Sequence, residues 1–232
     1  MLSNKKTKKV YEDCYGKPSS NFYKILPDKD IKKLIKNIKK DQKEFDIKDK
    51  VILIAGGTGR SALSFLKKKP KKIFYIDLVK KNILKIKKLS KNKIKTTVGD
   101  LANIQSIFKK QKFDLIYMEG VYQHLENPKE ITHEMLKMLN NNGYFYLDFY
   151  KSGVIYWLLV ELIRKKLFFK DYTKFKDYLK LNNLLHKKIS YSSSNLLERT
   201  LDDLFVPKIR FYNLKKTKKI IQNSGFKIIY FD

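Results

Sequence analysis

The chain has 232 residues, 43% of them hydrophobic, which is enough for one substantial core, and a single cysteine, Cys14, which excludes an intramolecular disulfide or cysteine-rich zinc cluster. Its formal charge is +29, yet only Arg60, Arg164, Arg199 and Arg210 are arginines. Base-edge and bidentate phosphate recognition favour the arginine fork, whereas these lysines run through every segment beside abundant Ile, Asn, Tyr and Phe, all with A/T-rich codons. Codon bias therefore accounts for the charge at least as well as nucleic acid does, and no specific nucleic-acid partner is expected.

The first ten residues carry Lys5, Lys6, Lys8 and Lys9 with no apolar stretch after them, so no secretory signal is expected. With a lone cysteine this reads as a cytoplasmic chain. Ile31, Leu34, Ile35 and Ile38 then recur at helical spacing and predict a covering helix within an N-terminal cap, residues 1–48. From Val51 the pattern changes. Apolar runs at Val51–Ala55, Ile73–Ile76, Ile94–Val98, Phe113–Met118 and Tyr144–Phe149 alternate with lysine-rich amphipathic stretches. Five strand-length runs separated by helix-length segments predict βα units and a parallel sheet covered on both faces, over a core of residues 49–150.

Residues 151–205 break this alternation with helical patterns, among them 154–169 and 175–185, and read as a helical lid insertion. The run at Val154–Val160 is far shorter than the ~20 residues a bilayer span needs. Trp157 followed by Arg164, Lys165 and Lys166 leaves two readings for 154–169: a lid helix packed on the core, or a weak membrane-surface contact suited to a lipid or quinone substrate. Residues 206–232 complete the sheet, with a helix at 214–223 and a sixth strand at 226–231. A seventh strand is open, with Lys208–Tyr212 as the candidate. One domain, 1–232, is expected.

The segment Val51-Ile-Leu-Ile-Ala-Gly-Gly-Thr-Gly59 runs from a strand into a glycine turn, then into a helix from about Arg60 to Lys67. Such a turn brings a ligand close to backbone amides, where an anionic end is favoured. Asp77 closes the second strand about 20 residues later, where a carboxylate accepts hydrogen bonds from ribose hydroxyls. Together they point to an adenosine-containing cofactor. Gly57-x-Gly59-x-x-Ala62 also fits a dinucleotide fingerprint, and Gly56-Gly-Thr-Gly59 resembles the turn of short-chain dehydrogenases. That reading needs a Tyr-x-x-x-Lys pair. Tyr172 with Lys176 and Tyr212 with Lys216 comply, but a chain this rich in both residues supplies such pairs by chance.

Further signals follow in order: Gly99-Asp100-Leu101 after the third strand, Glu119-Gly120 closing the fourth, His124-Leu125 leading to Pro128, and Met135 to Gly143 entering the fifth. This order resembles the class I S-adenosylmethionine-dependent methyltransferases over about residues 50–150. The resemblance implies an α/β, three-layer Rossmann-like methyltransferase fold with a mostly parallel central sheet, an N-terminal covering helix and a helical lid insertion. It implies S-adenosyl-L-methionine as cofactor and a small-molecule substrate. By the same resemblance Ala55, Gly56, Gly57 and Gly59 surround the methionine part, Asp77 and Leu78 the ribose, Asp100 and Leu101 the adenine, and Glu119 and Gly120 the reacting methyl. Two positions depart from the pattern: Leu53 stands where many members have an acid, and Ala55 where they have the first glycine. A methyltransferase-like binding protein without activity is therefore a second reading.

Methyl transfer from a sulfonium needs alignment and exclusion of water more than a catalytic dyad. His124 is the candidate base, since it follows strand four and a histidine titrates near neutrality; packing the loop is its other role. Asp148, Tyr150, Asp203 and Tyr212 border the substrate if the lid closes. No Asn/Asp-Pro-Pro-aromatic stretch or cysteine nucleophile follows strand four, which argues against nucleic-acid methylation. His133 and His186 have no partners at metal-ligand spacing, so no metal is expected.

Overall fold

In β1, Val51–Ala55, successive side chains leave opposite faces of the strand, and Ile52 to Ala55 are all buried. A strand apolar on both faces requires a helical layer on each side. The computed structural model of the chain describes residues 8–10, 12, 46–57, 59–166, 204, 206 and 209–228, and among these it has that layered form. After β1 come α1 (Arg60–Leu66), β2 (Lys72–Asp77), α2 (Lys80–Leu89), β3 (Ile94–Val98), a 3-10 turn and α3 (Ile104–Phe108). Then follow β4 (Phe113–Met118), a second 3-10 turn (Tyr122–His124), α4 (Pro128–Met138), β5 (Leu139–Leu147), α5 (Ile155–Lys166) and α6 (Leu214–Asn223). The strands lie in the order β3-β2-β1-β4-β5, and every pairing is parallel.

The two faces carry separate cores. On one, Ile52, Ile54, Ile73, Tyr75, Leu115 and Tyr117 pack with Ala62 and Phe65 of α1 and Ile83 and Ile86 of α2. On the other, Leu53, Ala55, Phe74, Ile76, Ile116 and Met118 pack with α3 and α4 through Ile104, Phe108, Ile131 and Met135. Phe74, Phe108 and Phe113 meet edge to face with centroids 5.5–5.7 Å apart, a geometry that adds to simple area burial.

The strands expected at 51–55, 94–98 and 113–118 form with those bounds, and β2 extends one residue further at each end than its apolar run. The fifth differs. It runs from Leu139, directly after α4, to Leu147, whereas the apolar run places it at Tyr144–Phe149. Leu139 pairs with Phe113 and Tyr144 with Leu115, so 140–143 form an irregularity inside the strand. Asp114 pins it: its carboxylate accepts from Asn140 Nδ2 at 2.7 Å and from the Val51 N–H at 2.8 Å. The side chain of Asn140 is thus a structural anchor and not a turn former.

Of the sixth strand expected at 226–231, residues 226–228 are not in strand conformation, and the remainder lies outside the described residues. The candidate seventh strand at 208–212 contributes one parallel bridge, Tyr212 to Lys151, so the described sheet has five strands. Of the lid, residues 151–166 and 204 are described; Val160 of α5 is buried and Arg164 Nη2 donates to the Val206 carbonyl at 2.7 Å. Ile155, Leu158 and Leu162 on the same helix are exposed. The covering helix expected at 31–38, the lid helix at 175–185, Cys14, Tyr172, His186 and Asp203 lie outside the described residues. No helix among the described residues is long and apolar enough to cross a membrane.

Candidate functional site

β1 has β2 on one side and β4 on the other, so the connections leaving β1 and β4 run to opposite sides of the sheet. The crevice at such a reversal, outside the strand carboxyl ends, is where open α/β sheets bind ligands. Residues 55–57 and 59–60 meet 118–121 there. The Gly56 N–H donates to the Ile76 carbonyl at 2.8 Å, which holds the glycine loop over the end of β2. Gly59 has φ +74°, and a Cβ on it would lie 2.5 Å from Ile86 Cγ1 and 3.2 Å from Tyr75 Cζ. Gly56, at φ +76°, would bring a Cβ to 2.6 Å from Val121. Both positions demand glycine on sterics and on backbone conformation. Thr58 lies outside the described residues.

Asp77 ends β2 nearly buried, and its carboxylate is heavily bonded. Oδ1 accepts from the Val79 N–H at 2.6 Å; Oδ2 accepts from Tyr75 Oη at 2.7 Å and from Asn82 Nδ2 at 3.3 Å. Burial pushes its pKa up to about 6, and the three hydrogen bonds pull against that rise. A carboxylate offers about four lone-pair sites. Three serve the protein, leaving acceptor capacity for a ribose hydroxyl. Leu78 beside it is half-buried. Asp100 precedes the 3-10 turn after β3 and accepts from the Ala102 N–H at 2.9 Å, while Leu101 is buried beneath. That bond fixes the Asp100 carboxylate at the carboxyl end of β3.

Glu119, just past β4, accepts from Ser61 Oγ at 2.8 Å and lies 3.8 Å from Arg60 Nη2. Its carbonyl would stand 3.2 Å from a Cβ on Gly57, so the ends of β1 and β4 are in contact through backbone. A Cβ on Gly120 would meet nothing within 4 Å, which places open space beside the loop. That space, the half-buried backbone of Gly56 and Gly57 and the Asp77 carboxylate together fit a nucleoside bearing an amino-acid end. Leu53 and Ala55 are both fully buried in the second core. No acid occupies the first strand at this point, and Glu119 is the carboxylate beside the loop.

His124 is half-buried in the turn after β4, with its ring 6.3 Å from that of Tyr150 and nearly perpendicular to it. The loop is braced by Arg210, whose guanidinium donates to the Leu125 and Glu126 carbonyls and whose own N–H donates to the Gln123 carbonyl. The Asp148 N–H donates to the Met118 carbonyl, bringing the end of β5 to the same rim. Tyr212 packs at a tilt against Tyr122 and edge to face against Phe149, and burial with the neighbouring Tyr122 pushes its hydroxyl up to about 12. A dehydrogenase tyrosine must give up its proton near neutrality; this one holds it more tightly than usual, and Lys216 is exposed. His133 is also exposed, and no group of three metal-ligating side chains occurs among the described residues.

Sequence reasoning missed Tyr75, Ser61 and Gln123. Tyr75 was findable, because it precedes Asp77 by two residues and so shares its face of β2. Ser61 follows the glycine turn directly, but nothing in sequence links it to Glu119. Gln123 is fully buried, and neither its Oε1 nor its Nε2 has a hydrogen-bond partner among the described residues. A polar amide so placed is unusual.

Residues 52–147 match the family model of a methyltransferase domain. No curated protein sequence matches the chain. Among solved structures it is similar to PKMT2 from Rickettsia typhi, solved in complex with AdoHcy, at 20% identity and a TM-score of 0.54, over 76% of this chain and 38% of that one. It is similar to the YcgJ protein from Bacillus subtilis at 16% identity and a TM-score of 0.53, over 85% and 68% of the two chains. It also resembles the plantazolicin methyltransferase BamL, solved with a triazolic desmethylPZN analog and SAH, at 14% identity and a TM-score of 0.53, over 96% and 73%. At these identities the structural likeness shows the fold alone, a Rossmann-like α/β sheet of parallel strands, within which residues 52–147 match the methyltransferase-domain model.

Proposed function

We propose that the chain transfers the methyl group of S-adenosylmethionine to a small-molecule acceptor, in the cytoplasm. The observation that carries the reading is the pairing of a three-glycine turn with a buried, ribose-competent Asp77 at the reversal point of an all-parallel sheet. The small-molecule acceptor draws support from BamL, whose solved complex holds a triazolic analog.

The cofactor supplies an electrophilic methyl on a good leaving group, so the protein's work is to bind, orient and exclude water. In this reading Asp77 accepts from the ribose diol, and Asp100 and the Leu101 backbone flank the adenine. Ala55, Gly56, Gly57 and Gly59 present backbone to the amino-acid end, with Glu119 and Gly120 beside the reacting centre. Glu119 stands where it can receive the cofactor's ammonium group, a role that Leu53 cannot fill. His124 takes up a proton when the acceptor must lose one.

The test is label transfer from methyl-labelled S-adenosylmethionine to a panel of small acceptors, with RNA and protein fractions in parallel. Label in a small product, abolished in Asp77→Ala, supports the reading; label confined to RNA or protein refutes the acceptor class. Leu53 and Ala55 favour a second reading, binding without turnover, and tight cofactor binding with no labelled product in any fraction would select it.

A further inference from the structure

Tyr75 is fully buried on β2, with its ring beneath the glycine loop. Its hydroxyl lies 3.0 Å from the Gly57 carbonyl oxygen and 2.7 Å from Asp77 Oδ2. Both neighbours are acceptors, and a phenol has one proton to donate. When Asp77 is ionised the hydroxyl can serve only one of them, and the charged oxygen, which is also the nearer, takes it. When Asp77 is protonated its own O–H can donate to Tyr75 Oη, which frees the phenolic proton for Gly57. The hydrogen-bond pattern of the glycine loop therefore depends on the charge of the carboxylate.

We propose that Tyr75 is a positioning residue for the cofactor, its single hydroxyl coupling the glycine loop to the ribose-binding carboxylate so that both halves of the site answer to one proton. The inference rests on the assignment of Asp77 to the ribose. Among the described residues the titratable group in contact with Asp77 is Tyr75; its other contacts, the Val79 N–H and the Asn82 amide, are neutral. A ribose diol donates to a carboxylate and so favours the ionised form. Affinity for S-adenosylhomocysteine should then rise with pH and level off once Asp77 is ionised. Tyr75 donates to that ionised form, so losing its hydroxyl moves the midpoint to higher pH.

The experiment is titration of S-adenosylhomocysteine into the full chain from pH 5 to pH 8, for the wild type, Tyr75→Phe and Asp77→Asn. The expected result is about tenfold weaker binding for Tyr75→Phe near neutrality, with its pH midpoint raised, and a flat profile for Asp77→Asn. Wild-type binding with the same affinity and midpoint in a folded Tyr75→Phe would overturn the inference and leave the cofactor assignment standing. If Tyr75→Phe does not fold, Asp77→Asn decides: a pH profile as steep as that of the wild type overturns the coupling. No binding by the wild type at any pH would overturn the cofactor reading and this inference with it.

Discussion

Asp77 is held at an energetic disadvantage by burial, and this can be measured without any substrate. Its pKa lies at about 6 in the folded protein against an ordinary value of 3.8, with burial as the main cause. At 1.36 kcal/mol per tenfold change in proton affinity, the ionised carboxylate destabilises the ligand-free protein by about 3 kcal/mol above pH 6. Between pH 3.8 and pH 6 the folded state binds more protons than the unfolded state, so this contribution lowers stability as pH rises through that window. Asp77→Asn removes the charge and keeps an acceptor for the Val79 N–H, though its new amide donors face the Asn82 amide. The net expectation is a gain of about 1–3 kcal/mol at pH 7.5. Urea denaturation of both proteins at pH 7.5 and pH 4.5 measures it. The gain should shrink at the lower pH, while affinity for S-adenosylhomocysteine falls at neutral pH. An Asn variant less stable than the wild type at pH 7.5, or a difference independent of pH, would refute the reasoning.

Other perturbations probe different parts of the account. Gly59→Ala places a Cβ 2.5 Å from Ile86 Cγ1 at φ +74°, and should lose about 2–5 kcal/mol in denaturant unfolding; pairing it with Ile86→Ala should recover the steric part, and a loss below 1 kcal/mol contradicts the loop geometry. Gln123→Met removes two buried polar atoms that have no partner among the described residues and should raise stability by about 1–3 kcal/mol in the same assay; a loss of that size would mean the amide is satisfied within the protein. Any association with RNA or DNA should be weak and fall steeply with salt, so sequence-selective binding that survives raised salt in a filter assay would reverse the reading of the +29 charge.

The parts of the fold that sequence disclosed are those governed by local pattern. β1 and β4 are short apolar runs bounded by glycine or charge, and their limits, like those of β3, were legible to the residue. The start of β5 was not, because Asn140 looks like a turn residue until Asp114, distant in sequence, is seen to accept its amide. At the site, the glycine turn and Asp77 were visible because a tight turn and a strand-end carboxylate each have a fixed spacing. Ser61 on Glu119 and Arg210 bracing the His124 loop were hidden, since both join segments that only the folded sheet brings together. Of the sixth strand read at 226–231, residues 226–228 are not in strand conformation, with the Phe226 ring 5.3 Å from that of Phe145, and 229–231 lie outside the described residues.

The central claim is that the crevice at the ends of β1, β2 and β4 holds S-adenosylmethionine. Calorimetric titration of the purified chain with S-adenosylhomocysteine, and with NAD(H) and NADP(H) in parallel, tests it most directly. The account predicts binding of S-adenosylhomocysteine alone, lost or strongly weakened in Asp77→Ala; binding of a nicotinamide nucleotide alone would contradict it and turn attention to Tyr172 and Tyr212.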